Sequence, residues 1–217
     1  MTPVDLAVYA ILDPERTRGR PLGALADAAV RGGATLLQLR DKHAGTRLFI
    51  DRAREVKAAI SGRIPLLIND RVDVALAAGA DGVHVGKEDM TGKDARRLLG
   101  PKAIIGVTLK DEGDLAGLDP SVVDYGCIGG VFATLSKDNP AAPVGLDGLA
   151  RLRALARASG LPVGAIAGID HGNAAAVIAA GADGVAVISA LFMADDVTAA
   201  TATLAAIVRT ARAGREV

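Results

Sequence analysis

The phrase AAGADGVHV at residues 77–85 returns as AAGADGVAV at 179–187, 102 residues later, with an alanine in place of the histidine as its one change. A repeat this close requires the same local structure twice. Its content says which structure: the end of a helix, a glycine stop, and the start of a buried strand. Glycine just past a helix takes the left-handed backbone at little cost. Val83, Val85, Val185 and Val187 are β-branched, as the strand that follows prefers. A fainter echo, GATLLQL at 33–39, aligns with GADGVHV at 79–85. Offsets of 46 and 102 residues correspond to two and four strand–helix units, and eight such units fill a chain of 217 residues.

Apolar strand candidates fall at 5–12, 35–40, 65–69, 82–86, 103–108, 123–132, 162–168 and 184–189. Helical spacing runs between them, as in DRVDVALAAG at 70–79 and LDGLARLRALARASG at 146–160. Alternation of this kind predicts parallel strands joined by helical crossovers. The expected architecture is one domain over 1–217, a single (β/α)8 TIM barrel. A doubly wound open sheet shares the alternation, which alone does not show closure. Half of the residues are apolar, with two Tyr, three Phe, three Met and no Trp. A core of Ala, Val, Leu and Ile suits strands buried on both faces.

Lys plus Arg equals Asp plus Glu at 25 each, and no basic stretch marks a nucleic-acid footprint. The one cysteine, Cys127, excludes an internal disulfide and reads as a small core residue. VDLAVYAIL near the start carries an acid and no basic leader, so it does not read as a signal peptide. No apolar run is long enough to span a bilayer. A soluble, cytoplasmic protein is expected, with small-molecule partners and room for a homo-oligomer.

The chemistry of such a barrel lies where strands end. The second strand leaves as QLRDK, whose Gln38, Arg40 and Lys42 share one face of an extended chain. An amide and two cations there either cap the strand in solvent or meet an anion. Asn69, Asp70 and Asp89 leave the third and fourth strands. Each aspartate is a potential helix N-cap, and together they suit a Mg2+ that bridges to phosphate oxygens. His84 is mid-strand and reads as a barrel-interior residue. Thr134, Ser136 and Lys137 follow the sixth strand as a phosphate contact or a polar loop. Gly168, Ile188 and Ser189 end the seventh and eighth strands, where backbone N–H groups of such barrels often bind phosphate.

QLRDK, LLINDRVDVALAAGADGVHVGKED, TLSK, IAGI and GVAVISA, in this order across essentially the whole chain, resemble the thiamine phosphate synthase family. The resemblance implies a (β/α)8 enzyme that joins 4-amino-2-methyl-5-(diphosphooxymethyl)pyrimidine to a thiazole phosphate. It releases pyrophosphate by a dissociative, Mg-assisted substitution. Residue by residue, it implies that Gln38, Leu39, Arg40, Asp41, Lys42 and Asn69 hold the pyrimidine diphosphate. Asp70 and Asp89 hold Mg2+, and Thr108 touches the diphosphate. Thr134, Leu135, Ser136, Gly168, Ile188 and Ser189 receive the thiazole phosphate. Lys137 reaches the pyrophosphate and acts in catalysis with Arg40 and Lys42. Three positions depart from the family pattern: Gly130 replaces a usual proline, Ala167 a usual glycine, and Thr108 a usual serine. A thiazole tautomerase on the same barrel and a non-catalytic phosphate-ligand sensor are the alternative readings.

Overall fold

Eight short strands alternate with helices in the computed structural model, which describes residues 4–134 and 142–215. The strands are β1 (Val8–Leu12), β2 (Leu36–Leu39), β3 (Leu66–Asn69), β4 (Gly82–Val85), β5 (Ile104–Leu109), β6 (Tyr125–Ile128), β7 (Val163–Ile166) and β8 (Gly184–Val187). They pair in parallel in chain order, and β8 returns to β1 through Val8↔Val185. The sheet is a closed barrel. Closure excludes the open doubly wound sheet, because the first and last strands are hydrogen-bonded neighbours.

The helices are α1 (Leu22–Arg31), α2 (Thr46–Ile60), α3 (Val72–Ala78), α4 (Gly92–Leu99), α5 (Glu112–Ala116), α6 (Gly145–Ala156), α7 (Ala174–Ala179), α8 (Ser189–Phe192) and α9 (Val197–Ala213). Their apolar faces close over the barrel in a layer that includes Leu39, Phe49, Val56, Val83, Ile105 and Leu204. A smaller cluster fills the barrel itself, including Tyr9, Leu36, Leu67, Tyr125, Cys127 and Ala186. Strand alternation sends Val83 outward and His84 inward. No helix among the described residues is long and apolar enough to cross a membrane.

The repeated phrase has a mechanical explanation. Gly79 ends α3 at φ 65°, and Gly181 follows α7 at φ 112°. Asp81 then accepts from the N–H of Leu66 at 2.8 Å, while its own N–H donates to the Leu66 carbonyl at 2.8 Å. Asp183 does the same to Val163 at 2.8 Å in both directions. Asp124 repeats this on Ile105, and Thr35 on Val8. Each even strand is thus preceded by one residue that satisfies both backbone groups at the start of the odd strand before it. The glycines after Asp81 and Asp183 are required by close approach: a Cβ at Gly82 would fall on Ile104 backbone, and one at Gly184 on Leu6 backbone.

Every apolar run is trimmed or shifted at its ends as a strand, and for two of them the backbone shows why. The apolar run 123–132 yields a strand of only four residues, because Gly130 takes φ 73° and turns the chain. Val131 and Phe132 then donate to Ile166 and Ala167, lying beside the end of β7. The run 184–189 stops as a strand at Val187, and Ser189 opens α8.

Candidate active site

The carboxyl ends of the strands surround a cavity of about 910 Å³. Gln38, Arg40 and Lys42 all line it, as their two-residue spacing requires. The residues between them point elsewhere. Leu39 is fully buried in the layer under the helices. The Asp41 carboxylate accepts from Ala44 N at 2.9 Å and pairs with Arg52. From these two positions only the backbone remains for the cavity.

Arg40 is held by Asp13, whose side chain is almost wholly buried and also caps the 3-10 turn Pro14–Arg16. Asp13 is a site feature that the sequence reading lacks. Its signal, an acid leaving β1 as the others leave β3 and β4, is weak in a single chain. Lys42 pairs with Asp70, and Asn69 donates its side-chain amide to the same carboxylate at 2.6 Å.

Asp70 is not a helix cap. The N-cap of α3 is Arg71, without a side-chain bond, and Asp70 takes φ 62° instead. Its N–H bonds to the His84 carbonyl at 2.9 Å, so the turn holds its carboxylate inward against β4. Asp89 is not a cap either: Thr91 caps α4, and Asp89 accepts from Gly86 N at 2.8 Å. The two carboxyls, at adjacent strand ends, come within hydrogen-bonding reach of each other. Burial, together with the neighbouring Asp89, pushes the Asp70 carboxyl above the usual carboxylate range, while Lys42 pulls the other way.

Across the cavity Thr108 and Thr134 line the wall with Gly168, Ile188 and Ser189. Gly168 takes φ 64°, and a Cβ there would lie 2.4 Å from the Ala133 carbonyl oxygen. Ser189 is the first residue of α8, separated from β8 only by Ile188. Leu135, Ser136 and Lys137 lie outside the described residues. The departures at 130 and 167 both show in the backbone: Gly130 at φ 73° and Ala167 at φ 92°. Proline, fixed near −65°, could not take the Gly130 conformation.

The cavity floor is a buried polar cluster. Gln38 donates to the Tyr9 hydroxyl, and the Tyr9 and Tyr125 hydroxyls are 2.9 Å apart. His84 Nδ1 lies 2.9 Å from the Tyr125 hydroxyl, and its Nε2 lies 2.9 Å from Thr108 Oγ1. His84 is therefore a barrel-interior residue, while the matching Ala186 of the repeat packs against apolar neighbours. Tyr9 and Tyr125, the only tyrosines of the chain, escape a sequence reading because no motif carries them. Lys110 is a second omission: it follows Thr108 by two residues and lines the same cavity.

Residues 8–191 match the family model described as thiamine monophosphate synthase. A thiamine-phosphate synthase of Agrobacterium fabrum is 55% identical over 204 residues, covering 93% of either chain. One from Chloroflexus aurantiacus is 47% identical over 206 residues, covering 94% of each. The solved thiamine phosphate pyrophosphorylase from Pyrococcus furiosus superposes with a TM-score of 0.84 at 35% identity, over 96% of this chain and 98% of that one. With the barrel, the paired carboxylates and the cationic face already in place, this chain belongs to the thiamine monophosphate synthase family.

Proposed function

We propose that the cavity joins the aminopyrimidine methyl diphosphate to a thiazole phosphate, forming thiamine phosphate and releasing pyrophosphate. One observation carries this reading: Gln38, Arg40, Lys42, Asp70 and Asp89 converge on one cavity in a chain of this family. Cations beside a pair of carboxylates suit a diphosphate and a divalent metal. A general base or a nucleophile is not needed for such a substitution.

Asp70 and Asp89 fit Mg2+. Burial and the neighbouring Asp89 oppose ionisation of Asp70. A hard cation bound by one or two carboxylates and completed by substrate phosphate oxygens relieves that opposition. Among the described residues no third His, Cys, Asp or Glu joins them. When bound, Mg2+ supplies positive charge to the diphosphate oxygens.

The chain's own groups do the rest. Arg40, braced by Asp13, and Lys42 face the diphosphate. As the bond from the pyrimidine methylene carbon to oxygen breaks, negative charge grows on the departing pyrophosphate. Fixed cations aimed at it stabilise this stage more than the ground state. Tyr9, Ile11, Ile166 and Ala186 give the deep cavity an apolar wall that limits water near the electron-poor methylene. Thr134, Gly168, Ile188 and Ser189 receive the thiazole phosphate on the opposite side, which aims the ring nitrogen at that carbon. Lys137 completes the pyrophosphate contacts in this reading.

The test is to mix both substrates with Mg2+ and quantify products. Thiamine phosphate and pyrophosphate are expected in equal amounts. Isomerisation of a thiazole carboxylate phosphate without coupling would replace this reading with the tautomerase. Binding without turnover would replace it with the sensor.

A further inference from the structure

Five side chains from five different strands make one unbroken hydrogen-bonded chain under the cavity: Gln38, Tyr9, Tyr125, His84 and Thr108. Its two ends belong to the polar substrate contacts described above, and Tyr9 also lines the cavity wall. We infer that Tyr9, Tyr125 and His84 are positioning residues, a directional relay that turns an acceptor toward the pyrimidine ring at Gln38 and a donor toward the diphosphate at Thr108. The inference rests on the proposed function for the identity of the two ligand groups.

The direction follows from counting protons. A phenol hydroxyl has one proton to give, and a neutral imidazole carries one N–H and one acceptor nitrogen. Burial pushes both phenols well above their ordinary range, so each remains an O–H. Four arrangements satisfy every bond: two run in one direction throughout, and in the other two a phenol accepts from both sides while Thr108 donates to His84. In the first, the Gln38 amide N–H donates to Tyr9, Tyr9 donates to Tyr125, and Tyr125 donates to His84 Nδ1. His84 then carries its proton on Nε2 and donates to Thr108, whose own proton is left for the cavity. In the second, every bond is reversed, and Thr108 spends its proton on His84.

One structural feature and one requirement of the proposed function select the first. The Gln38 amide is oriented with its nitrogen on Tyr9. Among the described residues its oxygen has no partner and so opens to the cavity, since no buried side-chain polar atom of theirs is left unpaired. At the other end, an anionic diphosphate needs the Thr108 proton, and a lone-pair-only oxygen would repel it. The amide oxygen thus matches the exocyclic amine of the pyrimidine, a donor. An analogue with a carbonyl in place of that amine could be accommodated only by flipping Gln38. The flip would reverse the whole chain and withdraw the Thr108 proton from the diphosphate. Ring recognition and leaving-group stabilisation are coupled through the barrel floor. Gly106 protects the arrangement, because a Cβ there would lie on the Tyr125 ring.

The tautomer is testable without any substrate. Nitrogen NMR of the three imidazoles in the intact protein, free and with inorganic pyrophosphate, should show His84 neutral with its proton on Nε2. A proton on Nδ1 in either state overturns the relay. Kinetics then test its role. Wild-type protein should use the aminopyrimidine diphosphate far better than the oxo analogue. Tyr125→Phe cuts the chain and lets Gln38 and Tyr9 reverse as a pair, so this preference in kcat/KM should fall by about ten- to a hundred-fold, the range of one charge-assisted hydrogen bond. Tyr9→Phe, a second variant that frees Gln38 directly, should show the same loss of preference. Equal losses on both substrates in folded variants would reduce the tyrosines to packing and overturn the inference. A wild-type protein that makes no thiamine phosphate would instead overturn the proposed function, and the tautomer result would still stand by itself.

Discussion

Ala167 sits at φ 92°, in the half of backbone space that residues with a Cβ avoid. The strain is held by its carbonyl, which accepts from Phe132, and by Gly168 at φ 64° beside it. A left-handed conformation at a residue other than glycine costs roughly 1–2 kcal/mol. Glycine gives back about 0.5–1 kcal/mol of that through its freer unfolded chain. Ala167→Gly should therefore stabilise the protein by about 0.5–1 kcal/mol in urea unfolding. An unchanged or lower midpoint would mean that the alanine methyl's packing outweighs the strain. Lys137 carries a different expectation. If bond breaking leads the reaction, Lys137→Ala should lower turnover by about a hundred- to a thousand-fold, the usual loss of one transition-state donor. Binding of the pyrimidine diphosphate should weaken far less. Single-turnover kinetics with direct binding on the same variant separate the two, and near-wild-type turnover would remove Lys137 from catalysis.

At the scale of elements, the repeated aspartates brace the strand starts, while the chemistry occupies the strand ends. Asp124 accepts from Ile105 N at 2.7 Å and from Arg96 at 2.6 Å, with both side chains largely buried. Asp81 accepts from Leu66 N and has no ion pair among the described residues. Removing a buried acceptor strands its donor at a cost of about 1–3 kcal/mol, and more where the donor is charged. Asp124→Ala should thus destabilise the barrel more than Asp81→Ala. Both should leave turnover per folded molecule close to wild type, because neither lines the cavity. A variant that stays stable but loses turnover would show that the strand starts communicate with the site.

Across the whole molecule, the ring was legible in the sequence because its repeat carries the same glycine stop, followed by an acid or, in the fainter echo, by Thr35. Gln38, Arg40 and Lys42 were legible for a similar local reason, since two-residue spacing fixes a shared face before any fold is known. The pairing of Asp70 with Asp89 was legible only as far as adjacent strand ends. Their use as helix caps was equally compatible with the sequence, and the positive φ of Asp70 and the capping of α4 by Thr91 decide against it. The relay was illegible: Tyr9 and Tyr125 are 116 residues apart in sequence and meet only once the barrel closes. The strand-start clamps have one more consequence. They join β1 to β2, β3 to β4, β5 to β6 and β7 to β8, and none of the four spans the gaps between those pairs. The barrel is therefore divisible along seams. A chain severed between Gly100 and Pro101 keeps all four clamps within its fragments, whereas one severed between Gly79 and Ala80 parts Leu66 from Asp81. Fragments 1–100 and 101–217, expressed together, should reassemble and regain turnover more fully than fragments 1–79 and 80–217. Equal recovery from the two cuts would mean that the ordinary sheet bonds, and not the clamps, decide where this ring can be opened.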